Sequence, residues 1–542
     1  MKKSLSFSTQ SRKLAVAVAT LAGVGLSACD VTNVQPQNAL AEDSVYSDAS
    51  RVALAVTGVY NAAQSGFYDP LNGGGLAVRG YPFGAAANTL DDARGEDVVD
   101  MAGFYGIVYR NQITPSSPNV VNMWSTCYAL VNQANVTIAG VQQAASNGVI
   151  SATDAAAYLG ELRFLRALAH HELVLHFSRP FTENNGTSPG VPYRETAVNT
   201  KEAIAAARLT DRGTVAADYT KMLADLTFAE TNLPLTRTGN ARVTRATKGA
   251  AIALKQRLYL YQGDWANAAV EGNKLISTTA PFTSPVGGYV LMPTPQEAFP
   301  GGINVTNENV FSVENSADDN PGVNGALANV WGSRLSIPNG GVAGRGLVAV
   351  SPILYNAPFW TCTDLRRTQL TQLDAPRYAL RKYRDATTST DFAPIIRYAE
   401  VLLNQAEAEA RSGNDVRALL LLNAVRNRSV ALADRYVVGS LTGTALIQAI
   451  LNERRIELVG EGFRWDDIHR LSATSFSPRV GGGTPAKLLS SQITGQYSCG
   501  TGVTITPSVA AISFTGTLFL WPIPAIEVAN NPTLAAQQNP GY

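Results

Sequence analysis

Apolar residues recur at helical spacing over several segments of the chain, and these segments come in pairs. Residues 121–145 carry large apolar side chains three or four positions apart and end at Asn147-Gly148, a helix stop signal. A second segment, residues 155–177, follows capping residues at 151–154 and precedes Pro180. We therefore expect two antiparallel helices joined by a short turn.

The same pattern returns further along the chain. Residues 249–262 and 265–276 are expected to form a second pair, because Gly263-Asp264 supplies a C-terminal glycine and an N-cap. Alanine-rich faces let paired helices approach closely, as in tetratricopeptide repeats. Further helices are predicted at 218–232, 395–410 and 416–428. The sequence therefore predicts a mainly α fold, in which tetratricopeptide-like helix pairs form an α-helical scaffold.

Two long stretches between the helical segments, residues 66–118 and 281–384, are rich in Gly, Pro and Asn. Short alternating runs such as 310–313 predict a few short strands within them. Residues 503–542 are also irregular and proline-containing. Because connections of this length usually carry function, we expect the long loop-rich insertions to hold the binding site.

The first 28 residues have the pattern of an export signal. Basic residues precede an apolar run, 14–26, that is shorter than the roughly 20 residues of a spanning helix. The run ends in Leu26-Ser27-Ala28-Cys29, which resembles the lipobox of bacterial lipoproteins. We expect residues 1–28 to be removed as a lipoprotein signal peptide and Cys29 to carry the lipid anchor. An ordinary secretory signal with a chance cysteine is the alternative.

Composition narrows the choice of function. The chain has 43 Lys+Arg and 42 Asp+Glu, so its net charge of +1 provides no field that attracts nucleic acid. Hydrophobic residues make up 45% and charged residues 16%, which indicates a globular protein. None of Cys29, Cys127, Cys362 and Cys499 forms a C-x-x-C motif. If Cys29 is lipidated, at most one disulfide can form, and Cys362 with Cys499 is the expected pair because both lie in loop-like sequence.

A set of short motifs follows a fixed order from the first predicted helix to the last residue. They are GVYN at 58–61, Trp124 with Tyr128 and Ala134-Asn135, ELRFLRA at 161–167, RLYLYQGDW at 257–265, RYAE at 397–400, NERRIEL at 452–458, EGFRWDD at 461–467 and QNPGY at 538–542. Each motif is short, but the ordered set resembles the SusD/RagB family of nutrient-binding outer-membrane lipoproteins.

The resemblance implies that residues 29–542 form one nutrient-binding protein, with a SusD-like part at about 30–240 and a RagB/SusD part at about 241–542. It implies a surface lipoprotein that binds an oligosaccharide or peptide, most readily a glycan. That ligand would pass to a SusC-type TonB-dependent transporter, on which the protein sits as a lid. Asp30 follows the lipidated cysteine, and in some Gram-negative bacteria an aspartate at this position is associated with retention at the inner membrane. That rule would contradict a surface location, but the family resemblance outweighs it. A lipid-anchored hydrolase with a loop-borne site and a structural repeat scaffold are the alternatives.

The predicted helix at 447–458 places Arg454 near its apolar face, where a guanidinium needs a partner. Carboxylates at 453, 457, 461, 466 and 467 are within reach. We interpret this charged helix as structural ion pairing and not as a catalytic site.

No motif indicates a catalytic residue, a cofactor or a metal. His170 and His171 are adjacent, so they point about 100° apart on a helix. The acidic pairs Asp91-Asp92 and Glu96-Asp97 suit a solvated turn better than a calcium site.

A glycan site needs exposed aromatic rings beside polar side chains that bond hydroxyl groups. The two long stretches supply six candidates: Tyr81, Phe104 and Tyr105 in the first, and Asn329, Trp331 and Arg334 in the second. Trp331 is the best individual candidate, because it lies near Asn324 in a Gly/Asn-rich segment without helical periodicity. Core or loop packing is the alternative for each ring.

Overall fold

The computed structural model describes residues 42–65, 80–302, 304–319, 321–335 and 343–542, and the backbone of two short strands at 68–69 and 75–76. The predicted signal peptide, residues 1–28, and the predicted lipid attachment residue Cys29 lie outside these ranges. Within them, no helix combines the length and the apolar character that crossing a membrane requires.

Helices of seven or more residues form the body of the described chain. They are α1 (Ala49–Ser65), α2 (Ala85–Ala93), α3 (Pro118–Ser146), α4 (Ala152–Phe177), α5 (Lys201–Ala207), α6 (Val215–Asn232), α7 (Lys248–Gln262), α8 (Trp265–Leu275), α9 (Tyr398–Arg411), α10 (Asp415–Arg426), α11 (Gly443–Leu458) and α12 (Phe463–Leu471). Shorter helices span Glu42–Val45, Gly106–Tyr109, Ala241–Thr244, Gly322–Gly325, Leu327–Trp331, Pro352–Tyr355, Arg366–Gln369, Ala525–Asn530 and Pro532–Ala535.

The predicted helix pairs are present, and local capping explains where they turn. In the first pair, α3 packs on α4, and Ser151 Oγ caps α4 by accepting from the Asp154 N–H at 3.0 Å. In the second, α7 ends at Gly263, whose φ of 75° is left-handed, and the Asp264 carboxylate caps α8. Helices α9 and α10 form the third pair, and α8 packs on α9. The predicted mainly α scaffold of tetratricopeptide-like pairs is thus confirmed.

Short strands hold the loop-rich stretches together. They are β1 (Tyr68–Asp69), β2 (Gly75–Leu76), β3 (Val98–Asp100), β4 (Asn309–Val313), β5 (Val348–Val350), β6 (Thr371–Asp374), β7 (Arg377–Leu380), β8 (Ala393–Arg397), β9 (Gly483–Thr484) and β10 (Ile512–Ser513). One antiparallel sheet has the order β3-β5-β7-β6. Because β3 belongs to the first stretch and β5 to the second, the two stretches fold together.

One predicted helix start and one unpredicted helix differ from the sequence prediction. Ile395, predicted at the start of a helix, lies in β8, which pairs with β4, and helix α9 begins only at Tyr398. The Tyr398 N–H donates to the Glu308 carbonyl at 2.8 Å, so strand pairing continues to the first residue of the helix. Helix α2 was not predicted, because its nine residues lie within the Gly-rich stretch 66–118.

The charged helix α11 is buried among ion pairs, as predicted. Arg454 is fully buried, and its Nε lies 3.1 Å from Asp467 Oδ2. Glu457 and Glu461 instead pair with Arg397 at the end of β8, at 3.1 and 2.6 Å. These pairs fasten α11 and the residues after it to β8 and to α12, which is a structural role.

The predicted disulfide between Cys362 and Cys499 is also present, with the two Cα atoms 5.7 Å apart. It ties the second loop-rich stretch to the irregular C-terminal region. Cys127 on α3 is a buried free thiol.

Candidate ligand-binding site

The pairing of β3 with β5 brings the two long loop-rich stretches to one place on the surface. Beyond the strands, the Met101 N–H donates to the Leu347 carbonyl at 2.9 Å. The Asp100 side chain is buried at the start of the loop, where backbone N–H groups of Ala102, Gly103 and Tyr105 bond to it. Burial raises the pKa of this carboxyl, and these hydrogen bonds oppose the rise. The last residue of β3 therefore holds the loop that follows it.

Phe104 stands at the tip of this loop with 46% of its surface exposed. No other aromatic side chain among the described residues is as exposed. Its ring rests edge-on against buried Tyr105, with 5.1 Å between the ring centroids. The Arg345 guanidinium carbon lies 5.6 Å from the Phe104 centroid, and Arg345 also donates to Asn324 Oδ1. We call Phe104, Asn324 and Arg345 the loop-junction site.

The site combines a partly exposed ring with guanidinium and amide groups. Arg345 is exposed and Asn324 half-buried. The ring can contact the apolar face of a ligand, while the guanidinium N–H groups can donate to hydroxyl or carboxylate oxygens. Behind the ring, Tyr105 is buried, and so is Tyr81, whose hydroxyl accepts from Asn119 Nδ2 at 3.0 Å. A rigid layer therefore supports the exposed ring.

Trp331 is fully buried at 0% exposure, which contradicts its predicted role as an exposed platform. The short helix Leu327–Trp331 turns the ring inward, and the indole N–H donates to Asn88 Oδ1 at 3.1 Å. Asn329 on the same helix is also buried, and its amide donates to Ser389 Oγ at 3.1 Å. A helix this short gives no periodic signal, so the sequence does not reveal which side chains face the core.

Arg334 reaches the surface, but it is anchored. Its guanidinium bonds both oxygens of Asp374, at 3.0 and 3.2 Å. Although burial raises the pKa of Asp374, hydrogen bonds from Arg334 and Arg377 lower it to about 2.

Of the six predicted residues, only Phe104 and Arg334 are therefore exposed, and Tyr81, Tyr105, Asn329 and Trp331 lie beneath the surface. Sequence reasoning missed Arg345, because the partner that marks it, Phe104, lies far away along the chain.

The acidic pairs Asp91-Asp92 and Glu96-Asp97 are buried, so the prediction of a solvated turn is wrong. Asp92 accepts from the Gly460 N–H at 2.6 Å, and burial raises its pKa to about 7. Glu96 and Asp97 pair with Arg455 and Arg464. These contacts fasten the first loop-rich stretch to α11 and α12.

A buried cluster beside Asp91 has the spacing of a metal site. Asp91, Glu172 and His176 each place one ligand atom within 4.8 Å of the others. However, Arg94 Nη1 lies 3.0 Å from His176 Nδ1 and can only donate, so the ring proton resides on Nε2, the atom that faces the carboxylates. A protonated nitrogen is not a metal ligand, so His176 instead donates to Glu172, at 3.1 Å. The donor set does not fit a metal.

Burial governs the ionisation of this cluster. It raises the pKa of Glu172 to about 7, that of Asp466 to about 7, and that of Asp91 well above its ordinary value. The three carboxyls line a cavity of about 60 Å³, together with His171. A cavity of this volume can hold water molecules, but it is too small for a sugar ring.

Two family models match the chain. Residues 375–542 match the model described as the SusD family, and residues 87–260 match a SusD-like model described as "Starch-binding associating with outer membrane". Together the two matches cover more than half of the chain.

Individual relatives agree with the models. The chain is 28% identical over 404 residues to SusD-like protein P2 of Formosa agariphila, covering 67% of this chain and 74% of that protein. A SusD superfamily protein of Bacteroides fragilis has a similar fold, with a TM-score of 0.72, 24% identity and coverage of 90% and 99%. Surface glycan-binding protein A of Bacteroides uniformis gives a TM-score of 0.66, 18% identity and coverage of 90% and 99%. The chain belongs to the SusD/RagB family.

Proposed function

We propose that the protein is a surface carbohydrate-binding protein associated with the outer membrane, and that it binds a glycan at the loop-junction site. The observation that carries the proposal is the exposed Phe104 ring beside the Arg345 guanidinium, held on a buried layer. Relatives described as glycan-binding and starch-binding support the ligand class.

The geometry suits binding of an oligomeric sugar. A pyranose ring has an apolar face that can stack on Phe104, and its hydroxyl groups can accept from Arg345 or bond Asn324. An open surface platform can engage internal residues of a long chain, whereas an enclosed pocket admits only an end. We propose that the ligand leaves the site chemically unchanged.

The finer proposal concerns transport. Residues 1–28 would be removed, the lipid on Cys29 would tether the protein to the outer membrane, and the protein would close over a SusC-type TonB-dependent transporter as its lid. The two proposed parts, about 30–240 and 241–542, correspond roughly to the two family-model matches.

Affinity electrophoresis of the purified full chain tests the glycan proposal. The probes are soluble starch, a neutral β-glucan and a casein peptide mixture, each cast in the gel. We expect retardation by a polysaccharide and about a tenfold loss of affinity in Phe104→Ala, equivalent to about 1.4 kcal/mol. Leu432→Ala, which truncates another exposed apolar side chain, is the control and should bind like wild type.

Several results would overturn the proposal. Equal retardation of wild type and Phe104→Ala would refute glycan binding at the loop-junction site. Retardation by peptides alone would show that the ligand is a peptide and not a glycan. New reducing ends after incubation with the polysaccharide would favour a hydrolase. Co-purification of a barrel transporter with the lipidated chain tests the lid, and purification without any barrel would refute it.

A further inference from the structure

A second open groove lies on the helical body, where the N-terminal half of α3 meets α5 and the short helix Ala525–Asn530. It has a volume of about 370 Å³, within the range of small-molecule pockets. The side chains that define it are Tyr128, Arg194, Ile204, Arg208, Glu527 and Asn530. We call it the helix groove. None of the six predicted binding residues lines it.

The helix groove contains two arginines without acidic partners. Within the described part of the chain, neither Arg194 nor Arg208 forms an ion pair, although buried arginines such as Arg397 bond several carboxylates. Arg194 lies 5.5 Å from the Tyr128 ring centroid and makes one long hydrogen bond, 3.4 Å, to the Ala207 carbonyl. Most of their N–H donors therefore remain free to bind an anion.

One carboxyl, Glu527, lines the same groove and lies close enough to Arg194 for their charges to interact. Burial raises the pKa of Glu527, and the charge of Arg194 opposes the rise. A side-chain hydrogen bond with Trp124 also opposes the rise. With two arginines and a single carboxyl, the groove carries excess positive charge even when Glu527 is ionised, which favours an anionic ligand.

Apolar side chains also line the groove. Ile204 on α5 is 43% exposed, an unusual position for an isoleucine on a helix that buries no residue. The half-buried ring of Tyr128 lies on the α3 side. Asn530 adds an amide whose nitrogen donates to the Ile526 carbonyl, so its oxygen remains available as an acceptor. The groove thus offers cationic, apolar and hydrogen-bonding surfaces together.

We propose that the helix groove binds a uronic acid residue, as a site separate from the loop-junction site. A uronate ring has the required parts: a carboxylate for Arg194 and Arg208, an apolar ring face for Ile204, and hydroxyl groups for Asn530. The inference rests on the proposed carbohydrate function for its ligand class and adds a site and a charge preference.

Isothermal titration of the full chain with D-galacturonate, and with neutral D-galactose as the matched sugar, tests this site. We expect binding of galacturonate at least tenfold tighter than binding of galactose. Arg208→Gln should weaken galacturonate binding about tenfold, and Arg194→Gln should do the same. Arg51→Gln removes the same charge from an exposed position on helix α1 and should leave binding unchanged.

Each alternative has its own result. No galacturonate binding, or equal weakening by Arg51→Gln and Arg208→Gln, would overturn the inference. Competition by acetate as strong as by galacturonate would reveal a carboxylate site without sugar recognition and would also overturn it. Phe104→Ala should retain galacturonate binding while losing neutral polysaccharide. If Phe104→Ala abolished galacturonate binding, the separate site would be refuted and the loop-junction site would stand.

Discussion

Replacement of Glu172 by glutamine tests the buried acidic cluster directly. Glu172 lies on α4 with 15% of its side chain exposed, and Oε1 accepts from His176 Nε2 at 3.1 Å. Three other charged or titratable groups interact with it: Asp91, Arg257 and Asp466. Because burial raises its pKa from 4.5 to about 7, the folded protein retains a proton that the unfolded chain has released.

The sign and size of the effect follow from linkage. A raised folded pKa gives a stability contribution that is fully present below pH 4.5 and is lost as the pH rises through 7. The interval between these values corresponds to about 3 kcal/mol of unfolding free energy. Glutamine carries no titrating proton, so Glu172→Gln lacks this loss. The unfolding free energy of the variant minus that of wild type should therefore rise by about 1.4 kcal/mol for each pH unit between 4.5 and 7. Above pH 7 this difference should stay constant.

Urea denaturation of both proteins at pH 5, 6, 7 and 8 measures the difference. The changed hydrogen bond to His176 shifts the difference by about 1 kcal/mol at every pH and leaves its slope unaffected. Glu202→Gln on exposed helix α5 is the matched control and should show no pH-dependent difference from wild type. A difference for Glu172→Gln that stays constant from pH 5 to 8 would refute the assigned ionisation.

Three further changes test the scaffold by thermal and urea unfolding. Gly140→Ala on α3 would place a Cβ 2.1 Å from the Tyr46 ring and should cost about 1–3 kcal/mol; an unchanged melting temperature would contradict this packing. Arg366→Ala removes a guanidinium that three buried carboxylates share, Asp364, Glu453 and Glu457, and should cost about 3–5 kcal/mol, whereas a loss under 1 kcal/mol would mean that the charges are solvated. The double change Cys362→Ser and Cys499→Ser opens a crosslink between residues separated by 137 positions and should cost about 5 kcal/mol by chain entropy, with no further effect of a reductant.

The helical body was predictable because its signals are local. Gly263 and Asp264 are adjacent, and together they end one helix and cap the next. Ser151 lies three residues from the N–H group that it caps. Such signals need no knowledge of the rest of the fold, so predicted and observed boundaries differ by only a few residues. One boundary depends on a distant contact, because Ile395, predicted in a helix, lies in β8, which pairs with β4 far away along the chain.

Side-chain burial in the loop-rich stretches was not predictable, because distant partners determine it. The buried Asp92 carboxylate accepts a hydrogen bond from the Gly460 N–H, and the buried Glu96 carboxylate pairs with Arg464. Locally, four acidic residues within positions 91–97 of a Gly-rich stretch have the composition of a solvated turn. Trp331 is a second example, because its indole N–H donates to Asn88, which lies in the other loop-rich stretch.

Substitution costs more stability at the residues of the family motifs than at the residues proposed to bind ligand. Glu457 and Arg464, in the strongest motifs, are buried in ion pairs, so replacing either leaves uncompensated charge in the core. Phe104 and Arg345 are exposed, and surface substitutions usually change stability by less than about 0.5 kcal/mol. The loop-junction site can therefore change its ligand without loss of the fold. For the same reason, the motifs identify the scaffold but do not indicate which ligand the protein binds.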